Sequence, residues 1–562
     1  MERRVFVALF LSFLVYFTYQ TFFPPKPAPK PAASSTAPAQ ASAAGGGVAT
    51  PSPVEGGAPA SAALVGEETE RLVTLETPHV IARFTNRGAV LKSWKLKEYR
   101  DRKGDPLELV DDDLPAGQPL PFSLQVPDAQ VTSLLNRGLY RVQESENRLA
   151  FEYQTDGGLV ARKEFSFNPA SYTVQVTVQA SQNGSPLNPV IQWGPGLGDT
   201  DSQTGRYAVK PEALFARQGT SPERLAASKV TSQAQHDDTF DYAGIDDHYF
   251  AAFAFKPGRA KVLYEPLQIP AAAGSTDPAR ELMAFSIQPA QVGQPLTFFA
   301  GPKELETLRA IDPVLAKAIN FGMFSVIVVP LLNSLNWIHG YVGNYGWAIF
   351  ILTLLINIVL FPLNHKSVVS MRKMQEIQPE AKAIQERYAK LKATDPAKQK
   401  MNQELMALYR ENGVNPASGC IPILLTLPVF LAFYALLTTA IELRGAPFIG
   451  WIHDLSLPDP YYVMPILVGA SQVLQQWMTP QAGVDPAQQR MMMIMPVVLI
   501  FVFVTTPSGA LIYWLVGNVW RIGQMQLTNY IHPPKVHVVR PPAERRVKRA
   551  GAGKTDAAAR ED

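Results

Sequence analysis

Apolar and polar positions divide this chain in two. From about residue 64 to 303 apolar residues alternate with polar ones over short stretches; from about 314 to 530 they collect into long runs. A helix needs about 20 mostly apolar residues to cross a bilayer, and the runs at 344–363, 421–441, 461–478, 490–506 and 509–530 are of that order. A sixth, uncharged run covers 5–23 behind Arg3 and Arg4. It ends in Phe22, Phe23, Pro24 and Pro25 and not in the small residues of a cleavage site. Residues 1–23 are therefore expected to stay as an N-terminal anchor instead of leaving as a signal peptide. The last two runs are parted only by Pro507, Ser508 and Gly509, which predicts a tight hairpin of two helices.

The intervening segments carry patterns of their own. Residues 24–63, rich in Pro, Ala, Ser and Gly, cannot bury a core and read as a disordered linker. In 64–303, Val80, Ala82 and Phe84 alternate with polar neighbours, 173–178 reads TVQVTV, and Asp156-Gly157-Gly158 and Asn183-Gly184 are turn signals. This predicts a large β-sandwich. Residues 304–342 are apolar but interrupted by Lys317, Asn320, Pro330, Asn333, Asn336 and His339, with Trp337 and Tyr341 alongside. They predict an amphipathic helix lying in the interface, not a span. Residues 364–416 predict a helical hairpin. Met371, Met374, Ile377, Ile384, Tyr388 and Leu391 recur at helical spacing, Thr394-Asp395-Pro396 breaks the helix, and Met401, Leu405, Leu408 and Tyr409 form a second stripe closed by Asn412-Gly413. The stripes can pack against each other. The methionines Met371, Met374, Met401 and Met406 can also offer an adaptable surface to varied partners.

Charge fixes the orientation. The formal net charge of +3 over 562 residues gives no argument for nucleic acid, but the basic residues are clustered. They lie at Arg3 and Arg4, between Lys366 and Arg410, and in the tail 531–562; the loop 442–460 holds only Arg444. Lysine and arginine stay on the cytoplasmic side. Six spans put all three clusters there, with both termini cytoplasmic and 24–342 periplasmic; five or seven would not. The single cysteine, Cys420, excludes an internal disulfide and reads as a packing residue at a helix start. Asp246, Asp247 and His248 adjoin, but neighbouring strand residues point to opposite faces. They read as the solvated start of a strand and not as a metal or acid–base site.

Polar residues inside the spans form stripes. Thr353, Asn357 and Asn364 share one face of the second span. Ser471 pairs with Gln475, and Gln472 with Gln476, on the fourth; Asn518, Arg521, Gln524 and Thr528 follow one another on the last. Arg521 lies about 18 Å from one end of its span and about 14 Å from the other, at about 1.5 Å per residue. A charge at that depth costs about 2.5–3.5 kcal/mol, and no acidic residue lies in any span to pair with it. Snorkelling is one reading; a hydrated pocket shared by several helices is the other, and the adjoining stripe favours it. Such a pocket would attract polar or acidic segments of a passing chain. No phosphate-binding loop is present, and no intramembrane carboxylate is available to carry ions. A channel or transporter, or a membrane-anchored carbohydrate-binding enzyme built on the β domain, are the competing readings.

Four stretches carry a resemblance: 343–364 (GNYGWAIFILTLLINIVLFPLN), 406–434 (MALYRENGVNPASGCIPILLTLPVFLAFY), 442–467 (ELRGAPFIGWIHDLSLPDPYYVMPIL) and 495–518 (MPVVLIFVFVTTPSGALIYWLVGN). In order and spacing the chain resembles the bacterial membrane protein insertases of the YidC family, in their Gram-negative form. The resemblance implies a polytopic α-helical protein with a five-helix insertase core over 343–530, whose hydrophilic groove is open to cytoplasm and lipid and closed outside. Its expected partners are nascent membrane proteins, the Sec translocon, the ribosome and targeting machinery through the hairpin and tail, and the phospholipid bilayer, with no nucleic acid beyond ribosomal RNA. It implies no cofactor, no metal and no catalytic residue. The expected groove residues are Thr353, Asn357, Gln472, Gln475, Gln476, Asn518, Arg521 and Gln524. One departure stands out: similar proteins usually carry an arginine where this chain has Asn357, and often an uncharged residue where it has Arg521.

Overall fold

A computed structural model describes residues 63–101, 103–110, 117–198, 209–230, 234–269, 280–388, 397–414, 421–478 and 486–531. The N-terminal anchor, all but the last residue of the 24–63 linker, Leu391, the break at 394–396, Cys420 and all but the first residue of the 531–562 tail lie outside the described residues.

Alternation in the first half becomes two antiparallel sheets. The smaller runs Leu72–Glu76, Val80–Thr85, Val90–Arg100, Pro106–Glu108. The larger has 14 strands. At its centre Thr173–Gln182 pairs with Leu159–Phe167 on one side and Leu296–Pro302 on the other, with Val176 opposite both Phe165 and Leu296. The sequence signals act where expected. Asn183 and Gly184, with φ of 51° and 78°, make the two-residue turn that sets Gln182 opposite Ser185. Between the sheets Phe84 meets Phe165 with ring centroids 4.6 Å apart, and Trp94 Nε1 donates to Ala300 O at 2.9 Å.

Asp246, Asp247 and His248 are neither solvated nor at the start of a strand. Asp246 ends the strand Gln235–Asp246 and, with Asp247, is buried. Asp246 accepts from Lys303 Nζ at 2.9 Å, and Asp247 Oδ1 accepts from the backbone N–H groups of Tyr249 and Phe250. Burial is tolerated because a distant lysine neutralises one carboxylate and a tight turn supplies N–H groups to the other. No group of metal-ligating side chains occurs among the described residues.

The described helices of seven or more residues are α1 (Ala129–Arg137), α2 (Leu305–Ile311), α3 (Ser325–Val342), α4 (Tyr345–Glu376), α5 (Gln378–Arg387), α6 (Ala397–Glu411), α7 (Ile421–Thr439), α8 (Val463–Met478), α9 (Pro486–Phe503) and α10 (Ser508–Ile531). The segment 304–342 is not one helix but α2, two short 3-10 turns and α3. In α3, Val328, Leu332, Leu335 and Ile338 are buried, while Val326, Trp337 and Tyr341 face out. Asn344 caps α4 by accepting from Trp347 N at 3.1 Å. At about 48 Å, α4 is longer than a bilayer core is thick. It runs without a break past Lys366, so the expected hairpin separates only at Ile377, because no helix-ending residue falls between Asn364 and Glu376. At its tip Arg387 and Tyr388 both meet Glu404, and Gly413, at φ 62°, ends it. Ser508 and Gly509, expected in a loop, already belong to α10.

Candidate functional site: polar stripes on three helices

The ends of α7 and α8 nearest the β domain are sealed. Ser508 N and Gly509 N donate to Leu457 O and Leu455 O at 2.8 and 2.9 Å, stapling the α9–α10 turn to the α7–α8 loop. Asp459, buried in that loop, accepts from Trp451 Nε1, Tyr461 N and Met464 N. Gly346 at the head of α4 lies against the Phe448 ring, where any side chain would collide. The β domain is tied to the same end. His248 Nε2 donates to Thr438 O at 2.7 Å, and Arg444 donates to Arg100 O with its guanidinium over Phe250. Burial pushes the His248 imidazole down to about 4, so it is neutral there. Burial, with the Glu304 charge nearby, pushes the Glu442 carboxyl up to about 7.

Away from this seal the polar stripes of α8 and α10 meet. On α10, steps of about 100° per residue put Asn518, Arg521, Gln524 and Thr528 within one sector of about 120°. Trp514 and Asn518 reach α8: Trp514 Nε1 donates to Gln472 Oε1 at 3.1 Å, and Asn518 Nδ2 to Ser471 Oγ at 2.9 Å. Gln475 and Gln476 follow one turn further along α8, half-buried. Thr353 and Asn357 are buried on α4, each bonded to its own helix: Thr353 Oγ1 to Ile349 O, and Asn357 Nδ2 to Thr353 O. Arg521, half-buried, makes no hydrogen bond or ion pair with a described residue. Asn364 Oδ1, Gln476 Nε2, Asn518 Oδ1, Trp520 Nε1 and Gln524 Nε2 are buried polar atoms without a hydrogen-bond partner among the described residues. Buried polar atoms are ordinarily paired with protein groups or ordered water.

The opposite face of α10 is different. With α4 it bounds a cleft of about 580 Å³, lined by Phe350, Leu354, Phe361, Leu515 and Val519 and reaching Gln524 at its edge. This cleft is thus apolar and lies beside the polar stripe, not along it. Of the hairpin methionines, Met371 and Met374 lie on α4 itself and are half-buried, as is Met401; Met406 is exposed. Sequence reasoning counted Arg372 only as one of a basic cluster and passed over His365. Both reach Thr528, Arg372 through its carbonyl and His365 through its hydroxyl. No signal in the sequence separates a buried arginine from its exposed neighbours.

A β-sheet domain joined to a bundle of apolar helices that carry polar stripes defines a membrane protein with a soluble extension. Comparison with known proteins narrows the class. Residues 72–334 match the family described as YidC periplasmic domain, and residues 337–535 that described as 60Kd inner membrane protein. The membrane protein insertase YidC of Geobacter metallireducens is 33% identical, over 94% of this chain and 98% of its own. That of Campylobacter jejuni is 32% identical, over 95% and 97%. A crystal structure of an active YidC insertase with its first transmembrane domain resolved covers 84% of this chain and 95% of its own, at 21% identity and a TM-score of 0.35. The chain belongs to the YidC family of membrane protein insertases. It is a membrane protein with a periplasmic domain, and its work is insertion, not an enzymatic conversion.

Proposed function

We propose that this insertase works through a hydrated groove on the polar face of α4, α8 and α10, with Arg521 as its positive charge. In this reading the chain crosses the inner membrane six times, with both termini cytoplasmic and 24–342 periplasmic, the periplasmic part being a β-sandwich. The groove residues are Thr353, Asn357, Gln472, Gln475, Gln476, Asn518, Arg521 and Gln524. Nascent membrane proteins enter from the cytoplasmic side, where Met371, Met374, Met401 and Met406 offer apolar contact. The Sec translocon, the ribosome and targeting machinery are the partners the reading adds. The observation that carries it is Arg521, a cation with no counter-charge among the described residues, on the same face of α10 as Asn518 and Gln524, each of which has a buried polar atom without a hydrogen-bond partner among the described residues. Water solvating these groups shortens the apolar distance a polar segment must cross, and the charge draws acidic segments in.

Cysteine accessibility tests the groove. With native Cys420 replaced by serine, Asn357→Cys, Gln475→Cys and Gln524→Cys should react with a membrane-impermeant maleimide from the cytoplasmic side only. Val359→Cys, on the outward face of α4, should stay unlabelled. Labelling from both sides would indicate a channel, and no labelling a dry bundle.

A further inference from the structure

In the topology proposed above α4 leaves the membrane beyond residue 363, and of the buried residues of this extension, Asn364, Ser367 and Arg372, the arginine is bonded to α10. Arg372 is buried and donates through Nη1 to Thr528 O at 2.9 Å. Seven residues earlier, His365 Nδ1 lies 3.2 Å from Thr528 Oγ1. That hydroxyl gives its only proton to Gln524 O at 2.8 Å, so it can only accept from the imidazole, and Nδ1 carries the hydrogen. Thr528 sits in the last described turn of α10. A guanidinium is thus supplied to a backbone carbonyl of α10 from a different helix, and Arg372 ties the α4 extension to α10.

The same residue sets the hairpin. α4 continues four residues past Arg372 to Glu376 and passes to α5 through Ile377 alone. The direction of α5 and α6 is therefore fixed where Arg372 meets Thr528. Pro362, inside α4, has no N–H to give the preceding turn and is a natural bending point between Asn357 and Asn364. We infer that Arg372 is a positioning residue whose bond to the end of α10 holds the hairpin over the inner mouth of the groove, and whose release lets the α4 extension swing about Pro362. The inference rests on the reading of 364–416 as cytoplasmic and of the polar face as the groove.

The test is a distance measurement on the full chain in lipid, with spin labels at the exposed positions Lys382 on α5 and Asn529 on α10 and Cys420 replaced by serine. The expected result is one narrow distance in the parent. In Arg372→Ala a second, longer distance should gain about tenfold in population, the equivalent of one charge-assisted hydrogen bond. Arg372→Lys, which can still donate to the carbonyl, should restore the narrow distance. An Arg372→Ala distribution identical to the parent would overturn the inference, as would an Arg372→Lys distribution as broad as that of Arg372→Ala. These distances are read without any insertion assay, so they stand or fall separately from the groove reading.

Discussion

Lys163 is the most informative residue to remove from the β domain. It lies in the strand Leu159–Phe167, is fully buried, and has no carboxylate beside it. Its ammonium donates to Gly88 O at 2.7 Å, Phe122 O at 2.8 Å and Ala89 O at 3.3 Å. All three acceptors sit in the left-handed region, at φ of 71°, 69° and 49°. Two of them are not glycine, a conformation costing about 1–2 kcal/mol per residue. The lysine thus pins two strained turns, one on each side of the inter-sheet core, to the large sheet. Methionine has a similar length and no donor, so Lys163→Met leaves three buried carbonyls unpaired at about 1–3 kcal/mol each. It also relieves the burial of a charge. The net loss expected is about 3–5 kcal/mol, the usual result of removing one side of a buried charged cluster. There is also a pH signature. Burial pushes the folded-state pKa down to about 7 from 10.5, so between these values the unfolded chain binds more protons than the folded one. Stability of the parent should rise with pH across that window, by at most about 1.4 kcal/mol per unit, and the rise should vanish in Lys163→Met. Urea titration of the full chain in detergent, read by hydrogen exchange in peptides covering 80–100 and 117–126, measures both. A variant within about 1 kcal/mol of the parent, with the same pH slope, would show that the lysine pins nothing.

Glu442→Gln should alter the tie between the β domain and the bundle in a pH-dependent way. A carboxyl raised to about 7 from 4.5 contributes stability that is fully present below 4.5 and lost as pH rises through 7. The glutamine variant should therefore hold α2 and α3 against hydrogen exchange at pH 8 better than the parent; equal protection would remove Glu442 from the tie. Gly346→Leu should push α4 away from Phe448 and break the seal at the periplasmic end, costing about 1–3 kcal/mol. Faster labelling of a cysteine at Ser508 from the periplasmic side is the check, and unchanged labelling would mean that the seal lies elsewhere.

The elements that could be read from the sequence are those governed by local rules. Asn183-Gly184 demands a turn whatever surrounds it, and Asn412-Gly413 ends a helix for the same reason. The stripes from Thr353 to Asn364 and from Asn518 to Thr528 were legible because polar residues inside a span stand out at helical spacing. What could not be read depends on distant partners. The burial of Asp246 depends on Lys303, 57 residues away, and that of Lys163 on turns 74 and 41 residues away. The role of Arg372 needs a carbonyl on a helix 156 residues further on. The continuity of α4 past Lys366 was missed for a different reason: a charge cluster marks the membrane boundary but does not end a helix.

The groove and its charge meet their most direct test in the insertion of a small, acidic-tailed membrane protein into vesicles. The full chain should be compared with Arg521→Ala and with Asn357→Arg/Arg521→Ala. Arg521→Ala should lose insertion about tenfold or more, as removal of a charge-assisted contact in a low-dielectric site implies. Arginine at 357, on the neighbouring wall, should restore it. Full activity of Arg521→Ala would contradict the claim that this arginine is the groove's working charge.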